Sequence, residues 1–466
     1  MARLSAVDRR TLGVARACMR RHLGLGDSQW DVFEAVLHRN ENVLIMGAPG
    51  SGKSFLLNIL KERLRKPLVT ASTGAAADKI GAFTLHSALG LGIGTMTSKQ
   101  VVAKLLKSNR GDSGMCRTLI IDEVSMLTAK LLDLAAECLV MLRGKLPQLV
   151  VSGDPMQLGA VAAHSEGPFY EAGLIRRLKP YVLTESFRQA EDSPFLRILN
   201  RARLGRARES DVDWLRAHFC PKICEGAPRL FCRLAQVEEY NRASLARLPG
   251  EERAYSTILT GRDKKMATDP ADPAINLKVG ARVLLTRNLP EHPALHNGSC
   301  GSVQSVAAQS VLVHFDAGMV VRIKPVTQEF ERDGKVVGTR TQLPLVLSFA
   351  VSVHRAQGAT LDCVAVDLSR CFAPGQAYVA LSRVREAGHA EVANLNLWHL
   401  NNHDRQALSY YNRCADRSEA RAERHKARGA LADPRAARGA EVQPPPHEVD
   451  DEALDAMMSV FEKGLA

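Results

Sequence analysis

The sequence predicts an α/β fold in which parallel strands are flanked by helices, and three short segments carry this prediction. Apolar runs at 43–46, 119–121 and 149–151 have the length and composition of buried strands. Each run leads into polar or glycine-rich sequence, where turns and functional side chains are usually found. Since the carboxyl ends of parallel strands meet at one edge of a sheet, we expect these three junctions to form one site.

The composition suits a multidomain protein with a polyanionic partner. The chain has 466 residues, 45% apolar and 24% charged, an ordinary globular balance that allows roughly two to four domains. Its net charge of +12 and pI near 9.3 suit nucleic acid, although many basic proteins bind none. No apolar stretch reaches the roughly 20 residues of a membrane span, so we expect a soluble protein with no membrane contact.

The first strand runs into a glycine-rich loop with the spacing G-x-x-x-x-G-K-[ST]. Glycines allow backbone N–H groups to turn toward phosphate oxygens, and the following helix N-terminus adds a favourable dipole. Lys53 is expected to reach the β- and γ-phosphates, and the Ser54 hydroxyl to hold Mg²⁺. The pattern predicts a nucleotide triphosphatase that uses Mg²⁺, with a loop made of Gly47, Ala48, Pro49, Gly50, Ser51, Gly52, Lys53 and Ser54.

Polar side chains that follow the second and third strands complete a hydrolytic site. Asp122 is expected to hold Mg²⁺ through its water shell, and Glu123 to accept a proton from the attacking water. Gln157 follows the third strand and is placed to sense the γ-phosphate. An isolated Asp-Glu pair would be uninformative, but this one ends a buried strand downstream of a phosphate loop.

Three further side chains are candidates for nucleotide contacts. Gln29 lies about one helix before the loop, where an amide can pair with the adenine edge; a surface glutamine is the commoner case. Arg188 and Arg383 each end a motif-like run in the second half of the chain. In a two-lobed ATPase such arginines stabilise γ-phosphate charge across the cleft, whereas the alternatives are a structural ion pair or an exposed helix position.

Hydroxyl side chains after the phosphate loop suggest nucleic-acid contacts. Thr73 follows a predicted strand, and Thr84 comes shortly after it. Capping of helix starts would explain both hydroxyls. The functional interpretation is contact with the phosphates or sugars of a nucleic-acid strand.

The ten cysteines are scattered, which is typical of free thiols in a reducing compartment. His218, Cys220, Cys224 and Cys232 are close enough in sequence for a zinc site. Their spacing contains no C-x₂-C pair, so we favour buried or incidental thiols.

Composition shifts divide the chain. Residues 1–24 are Arg-rich and acid-poor, like a mitochondrial presequence or a basic helix on nucleic acid. The sequence is compatible with the nucleus or the mitochondrion if the organism is a eukaryote, and with the cytoplasm otherwise. We expect a first lobe at 25–178 with a surface insertion near 89–115, and a second lobe at 179–403 with a β-rich insertion at about 296–343.

The C-terminal stretch 404–466 is expected to be a basic, partly disordered tail. It ends in a short acidic segment, 448–466, whose apolar residues fall on one helical stripe. Such a stripe usually packs on its own protein, and the alternative is docking on a partner protein.

In this order the motifs resemble those of the Pif-one (Pif1) family of superfamily-one B-type DNA helicases, over roughly residues 25–397. The most specific segments are 354–361 (HRAQGATL) and 375–383 (GQAYVALSR). Four shorter segments are also similar: 72–77 (STGAAA), 84–87 (TLHS), 186–189 (SFRQ) and 295–301 (LHNGSCG).

The resemblance implies two RecA-like lobes with ATP and Mg²⁺ in the cleft, an inserted SH3-like β-barrel, and single-stranded or forked DNA across the top. It implies unwinding with 5′-to-3′ translocation in replication, repair or recombination. By motif, Gln29 would read adenine, Gly358 would lie at the nucleotide, and Gln157, Arg188 and Arg383 would couple the γ-phosphate to lobe closure. The DNA contacts would come from Thr73, Thr84, His86, Asn297, His354, Gln357 and Thr360.

Some segments depart from the family pattern. Residues 126–148 are compact, Gly153-Asp154-Pro155 is nearer to RecD-type sequences, and Arg355 stands where lysine is usual. These departures bear on subfamily-specific abilities such as action on G-quadruplexes or telomeres.

Alternative functions stay open at this point. One is a RecD-like subunit that works only inside a larger complex, and another is an ATP-switched nucleic-acid remodeller that does not unwind. The intact pair Asp122-Glu123 argues against a switch without hydrolysis. RNA is an alternative substrate, because no sequence feature indicates a contact that would distinguish DNA from RNA by the 2′-OH.

Overall fold

The computed structural model describes residues 16–432, apart from 92–95, 108–115, 161–162, 190–192, 222–226, 262–273, 333–334 and the single positions 288, 290, 293 and 296. Among the helices of this described part, none is both long enough and apolar enough for a bilayer span.

The first lobe is built on a six-stranded parallel sheet in the order β3-β2-β4-β5-β1-β6. Its strands are β1 (Val43–Gly47), β2 (Pro67–Ala71), β3 (Phe83–Thr84), β4 (Thr118–Asp122), β5 (Gln148–Gly153) and β6 (Lys179–Leu183). Its helices are α1 (Asp27–Leu37), α2 (Lys53–Arg63), α3 (Gly74–Lys79), α4 (Leu85–Ala88), α5 (Ser98–Lys107), α6 (Ala129–Arg143), α7 (Ala163–Glu166) and α8 (Gly173–Arg176).

Alternate residues of the central strands pack on opposite faces of this sheet. Leu44 and Ile121 belong to one hydrophobic core, whereas Ile45 and Ile120 belong to the other. Because side chains alternate along a strand and helices cover both faces, the strands are apolar throughout. The three predicted strands and their parallel arrangement are therefore confirmed.

The second lobe is a smaller parallel sheet interrupted by a β-rich subdomain. It begins with α9 (Pro194–Arg203), α10 (Glu209–His218), β7 (Arg229–Phe231) and α11 (Leu234–Arg247). The subdomain contains β8 (Arg253–Ser256), β9 (Ile258–Gly261), β10 (Ala274–Leu277), β11 (Arg282–Leu285), β12 (Cys300–Ala307), β13 (Ser310–Phe315), β14 (Val320–Ile323), β15 (Val326–Arg332), β16 (Lys335–Gln342) and β17 (Leu345–Leu347).

The chain then returns to the second lobe and crosses back to the first. The returning elements are β18 (Ala350–Ser352), α12 (Val353–Ala356), β19 (Val364–Asp367), α13 (Gln376–Leu381), β20 (Ala390–Ala393), α14 (Leu397–Asn401) and α15 (Arg405–Ala432). The sheet order is β18-β7-β19-β20, all parallel.

The β-rich subdomain is larger than predicted. Its strands form a five-stranded antiparallel sheet (β14-β13-β12-β11-β17), a three-stranded sheet (β15-β16-β9) and a pair (β8, β10). It therefore spans 253–347, not 296–343. The early strands are short and pair with strands far along the chain, for example Ile258 with Thr341, so local sequence carries little sign of them.

The boundary between the lobes also differs from the prediction. The sequence predicts it between residues 178 and 179, but β6 pairs in parallel with β1, with Tyr181 opposite Ile45. The first lobe therefore extends through Leu183. An edge strand is paired on one side only, and its sequence does not say which sheet it joins.

Two predicted surface segments are packed against the first lobe. In the predicted insertion near 89–115, α5 buries Val101 and Leu105 against the first-lobe core. In the predicted basic tail, α15 buries Cys414 in the same core, and Tyr410 stacks on Tyr170 with ring centroids 4.9 Å apart. A few apolar residues at helical spacing outweigh the charged composition of each segment.

The described part of the N-terminal segment is packed as well. Met19 is buried in the first-lobe core, and Arg16 forms a 2.9 Å ion pair with Glu34 of α1. Residues 1–15, the tail beyond 432 and the acidic stripe at 448–466 lie outside the described residues.

Candidate nucleotide and nucleic-acid site

The glycine-rich loop connects β1 to α2 at the carboxyl edge of the first-lobe sheet. Gly50 and Gly52 have φ angles of 87° and 78°, which glycine adopts far more readily than other residues. A Cβ atom at Gly50 would lie 2.5 Å from the Cβ of Arg188, and one at Gly47 would lie 2.4 Å from Ser51 Oγ. The loop therefore requires glycine both for its backbone conformation and for its close packing.

Lys53 lies inside this loop. Its Nζ donates hydrogen bonds to the carbonyl oxygens of Gly47 at 2.8 Å and Ala48 at 3.0 Å. Burial lowers the pKa of the ammonium, while the carboxylates of Glu123, Asp154 and Asp122 act in the opposite direction. Phosphate oxygens can replace the two carbonyls as acceptors, so the lysine is placed for the predicted contact.

Ser54 and Asp122, the two residues predicted to hold Mg²⁺, lie side by side. Ser54 Oγ donates to Asp122 Oδ2 at 2.9 Å, and the other carboxylate oxygen accepts from the backbone N–H of Glu123 at 2.8 Å and from the Ser152 hydroxyl. A hydroxyl and a carboxylate side by side are hard oxygen donors. They fit Mg²⁺, which takes one or two protein ligands and completes its octahedron with phosphate oxygens and water.

Glu123 is held in an unusual environment at the end of β4. Its φ of 52° lies in the left-handed region, which is uncommon for a non-glycine residue and clusters at functional sites. Its Oε2 is buried without a hydrogen-bond partner. Burial and the neighbouring Asp122 raise the pKa of this carboxyl, although Lys53 and Arg383 oppose the shift. A buried carboxylate with one oxygen unengaged suits a base that takes a proton from water.

The two predicted glutamines differ in how their amides are engaged. Gln157 is buried, and neither its amide oxygen nor its amide nitrogen has a partner. Gln29 accepts from the N–H of Gly26 at 3.0 Å and donates to the carbonyl of Gly52 at 3.3 Å. Gln157 is therefore free to meet a ligand, whereas Gln29 is tied to the loop and its adenine contact stays a prediction.

The structure brings Arg188 and Arg383 together. Arg188 packs on Gly50 and donates to the carbonyl of Ser382 at 2.8 Å. Arg383 is 1% exposed and donates to Val379 O at 2.7 Å, Ala359 O at 3.2 Å and Ser382 Oγ at 2.8 Å. Burial and the charge of Arg188 lower the pKa of Arg383 to about 9. Two guanidinium groups therefore lie close together, one of them against the phosphate loop, where they could stabilise an anion.

Thr73 and Asn297 lie where the first lobe meets the β-rich subdomain, and Thr84 lies on the neighbouring strand β3. Thr73 and Thr84 cap short helices, accepting from the N–H groups of Ala76 and Ser87, each at 3.2 Å. Asn297 lies directly against the helix start after Thr73, because a Cβ atom at Gly74 would be 2.8 Å from the asparagine Cβ. The capping explanation of the two hydroxyls is thus correct, and their DNA role stays a prediction.

The remaining predicted contacts fall into two groups. His86 and His354 are partly buried, which lowers the pKa of each imidazole, and Thr360 is exposed. Gln357 is different: it is 2% exposed and donates to Ser125 Oγ at 3.2 Å. Gln357 therefore lies in the contact between the lobes and not on an exposed strand-binding face.

Gly358 lines the cleft opposite Glu123. Its φ of 86° requires glycine, and a Cβ atom here would face Glu123 Oε1 at 3.9 Å. The expectation that this glycine lies at the nucleotide site is consistent with that position.

The candidate zinc ligands do not converge among the described residues. His218 stacks on Trp214, with ring centroids 3.9 Å apart, and Cys232 is buried with its Sγ 3.7 Å from Asp367 O. No group of three or more metal-ligating side chains occurs in the described part of the chain. Cys224 lies outside it.

Three contacts at the site were not predicted. Lys79 Nζ donates to the carbonyl of Gly358 across the lobes. The Phe187 ring is 56% exposed, and a Cβ atom at Gly52 would lie 3.1 Å from it. Asp154 forms a fully buried ion pair with Arg203. Phe187 falls in a recognisable motif, but nothing in the sequence connects residues 279 positions apart, as Lys79 and Gly358 are.

Comparison with known proteins agrees with this site. Residues 24–220 match the family model described as an AAA domain. The chain is 35% identical over 382 residues to the mouse ATP-dependent DNA helicase PIF1, covering 78% of this chain and 58% of that protein. It is 31% identical over 370 residues to the ATP-dependent DNA helicase Pif1 of Bdellovibrio bacteriovorus, covering 76% and 84%.

Solved structures show the same fold. The Pif1 helicase of Candida albicans superposes with a TM-score of 0.75 at 30% identity, covering 84% of this chain and 99% of that one. Bacteroides Pif1 in complex with ADP-AlF3 and ssDNA superposes with a TM-score of 0.71 at 27% identity, covering 84% and 97%. The chain spans about three fifths of the length of its mouse, rat and human relatives. It belongs to the Pif1 family of helicases.

Proposed function

We propose that the chain is an ATP-dependent DNA helicase that translocates 5′ to 3′ on single-stranded DNA and unwinds duplexes in replication, repair or recombination. The observation that carries the proposal is the cleft, in which Glu123 of the first lobe faces Gly358 and the guanidinium of Arg383 from the second lobe. A hydrolytic site completed by both lobes can convert the loss of a phosphate into lobe movement.

Each cleft residue has a defined task in hydrolysis. Lys53 would release the loop carbonyls and hold the β- and γ-phosphates, and Ser54 with Asp122 would hold Mg²⁺. The bound ion would neutralise charge on the phosphate oxygens. Glu123 would orient the attacking water and accept its proton through the unengaged oxygen.

Lobe closure would depend on the two arginines. Arg188 and Arg383 carry positive charge in a buried setting, and burial depresses the pKa of both. A γ-phosphate between them would relieve the unfavourable burial of these charges, so closure is favoured while the phosphate is present. After hydrolysis and phosphate release the stabilisation disappears and the lobes can part.

The DNA substrate is inferred from relatives and from where the candidate DNA-contacting residues lie. Bacteroides Pif1 has been solved bound to ssDNA, and another Pif1 structure describes DNA unwinding at forked dsDNA by two coordinating Pif1 helicases. In this chain Asn297 lies against Gly74, the residue after Thr73, and His354 is among the second-lobe candidates. We further propose that the β-rich subdomain forms an SH3-like barrel beside this strand path.

The proposal is tested by ATP hydrolysis with and without nucleic acid. We expect single-stranded DNA to stimulate turnover, RNA of the same sequence to stimulate it less, and Glu123→Gln to abolish it. Arg201→Met, which alters an ion pair inside the second lobe, serves as the matched control and should turn over normally. ATP turnover that single-stranded DNA does not stimulate would contradict the proposal. ATP turnover only in the presence of added partner proteins would favour a RecD-like subunit.

A further inference from the structure

The segment that follows β5 is attached to both lobes. At its start, Gly153 pairs with Met46 in the first-lobe sheet. Five residues later, Leu158 is 1% exposed and packs in the second-lobe core with Phe195 and Leu199 of α9. The segment Gly153–Leu158, here called the bridging loop, is therefore a covalent and packed connection between the two lobes.

A buried ion pair fixes the bridging loop to the second lobe. Asp154 is 0% exposed and Arg203, the last residue of α9, is 5% exposed. The guanidinium donates to both carboxylate oxygens, from Nε at 3.0 Å and from Nη2 at 2.8 Å. Burial alone would lower the pKa of Arg203, but Asp154 raises it above its ordinary value. This bidentate geometry holds orientation as well as distance.

Other elements close around the ion pair. The Arg203 guanidinium lies 4.2 Å from the centre of the Tyr411 ring of α15. The hydroxyl of Tyr378 in α13 is buried without a partner, and burial and the charge of Asp154 raise its pKa. Gly375, at the start of α13, approaches the loop so closely that a Cβ atom there would lie 2.8 Å from Met156 O. Two second-lobe elements, α9 and α13, thus contact the bridging loop, and α15 packs on the arginine of the ion pair.

The ion pair also shapes the loop that carries the γ-phosphate sensor. Asp154 Oδ1 accepts from the N–H of Met156 at 3.1 Å, and Asp154 O accepts from the N–H of Gln157 at 3.1 Å. Gln157 therefore lies between the Asp154 and Leu158 anchors, with both polar atoms of its amide unengaged. A shift of Gln157 on ligand binding would therefore move Asp154 and Leu158, which are held by the second lobe.

We propose that the Asp154–Arg203 ion pair is the pivot that couples nucleotide state at Gln157 to the second lobe, and that Arg203 is a positioning residue for translocation. The inference rests on the proposed function. It predicts that breaking the pivot leaves the catalytic groups in place but removes the effect of nucleotide on DNA affinity. Such an effect is a coupling between two binding sites, and it is reciprocal.

The chain offers a matched control on the same helix. Arg201 of α9 also forms a bidentate ion pair, with Asp211 of α10, entirely within the second lobe. Arg201→Met removes an arginine ion pair two residues away without touching the first lobe. The double variant Asp154→Asn with Arg203→Met removes both buried charges, so it avoids leaving one of them uncompensated. Arg203→Lys keeps the charge but loses the bidentate fork.

The test measures affinity for a fluorescein-labelled oligo-dT strand, with and without Mg²⁺ and ADP–aluminium fluoride. We expect nucleotide to change the Kd of wild type and of Arg201→Met by at least about fivefold, within the usual range of coupling between sites. For the double variant we expect a change within about twofold of none, and for Arg203→Lys an intermediate value. Circular dichroism and nucleotide-free DNA affinity should match wild type.

Each outcome decides the proposal. A double variant that keeps the wild-type response overturns it, and so does a wild-type Kd that nucleotide leaves unchanged. Loss of the response in Arg201→Met as well would assign the effect to α9 in general and not to the pivot. Because the readout is binding, it does not depend on unwinding. Wild-type strand displacement, measured alongside, tells failure of the proposed function from failure of the pivot.

Discussion

Replacing Glu123 by glutamine should stabilise the nucleotide-free protein while it abolishes turnover. The carboxylate is buried, one oxygen has no partner, and burial and Asp122 raise its pKa. The folded state therefore disfavours the charged form at neutral pH. Glutamine has nearly the same shape and no charge, so it imitates the protonated acid. The substitution removes the desolvation cost of a buried charge, and we expect a gain on the order of 1–3 kcal/mol.

The sign of the pH dependence follows from the raised pKa. Above the folded pKa of Glu123 the full penalty of the buried charge opposes folding. The penalty declines as the pH falls below that pKa, and it disappears only below the unfolded pKa, where both states are protonated. The advantage of Glu123→Gln should therefore be full at pH 8 and shrink as the pH falls toward the ordinary glutamate range. Thermal unfolding without nucleotide measures it, with roughly 2–4 °C expected per kcal/mol.

Asp122→Asn is the matched comparison, because the neighbouring acid has the opposite environment. Asp122 accepts hydrogen bonds from Ser54, Ser152 and the backbone of Glu123. An amide presents one acceptor atom where the carboxylate presents two, so we expect a loss of about 1–2 kcal/mol. If both variants destabilise equally at every pH, the reasoning from the unengaged oxygen of Glu123 is wrong.

Three further predictions concern the same site. Lys53→Ala should reduce ATP turnover by at least about 10²-fold with an unchanged circular dichroism spectrum, since its two hydrogen bonds join it only to its own loop; substantial residual turnover would place catalysis elsewhere. The kcat/KM of wild type, which reports ionisation of the free enzyme, should fall as the pH drops through the raised pKa of Glu123, because the base must be unprotonated; a flat profile down to pH 5 would argue against this base. Gly375→Ala should lower the unfolding temperature more than Gly318→Ala. Both glycines have positive φ, but only Gly375 meets a backbone atom, Met156 O at 2.8 Å; equal shifts would mean that the close approach is unimportant.

The catalytic residues of the first lobe could be predicted from local sequence, because they lie in short contiguous segments. Lys53 and Ser54 lie at the junction of a strand, a glycine-rich loop and a helix. This local arrangement does not depend on the rest of the chain. The strand that ends in Asp122 and Glu123 must then lie beside the loop, since parallel strands present their carboxyl ends at one edge. The structure brings these four residues together as expected.

The contacts between the lobes could not be predicted in the same way. The partners of Asp154, Lys79 and Gln357 lie in segments that are distant along the chain, and an aspartate or lysine alone says nothing about its partner. The same holds for β6 and α15. Val182 of β6 donates its N–H to Ser418 Oγ of α15 at 3.1 Å, so the helix covers a strand edge more than 200 positions earlier in the chain.

The measurement that tests the account most directly is ATP-dependent strand displacement on two duplexes that differ only in whether the single-stranded tail is 5′ or 3′. Wild type is run beside Glu123→Gln and Arg201→Met. We predict that wild type and Arg201→Met displace the strand from the 5′-tailed duplex alone and that Glu123→Gln displaces neither. Displacement from the 3′-tailed duplex, or no displacement while DNA still stimulates ATP hydrolysis, would contradict the assignment as a 5′-to-3′ helicase.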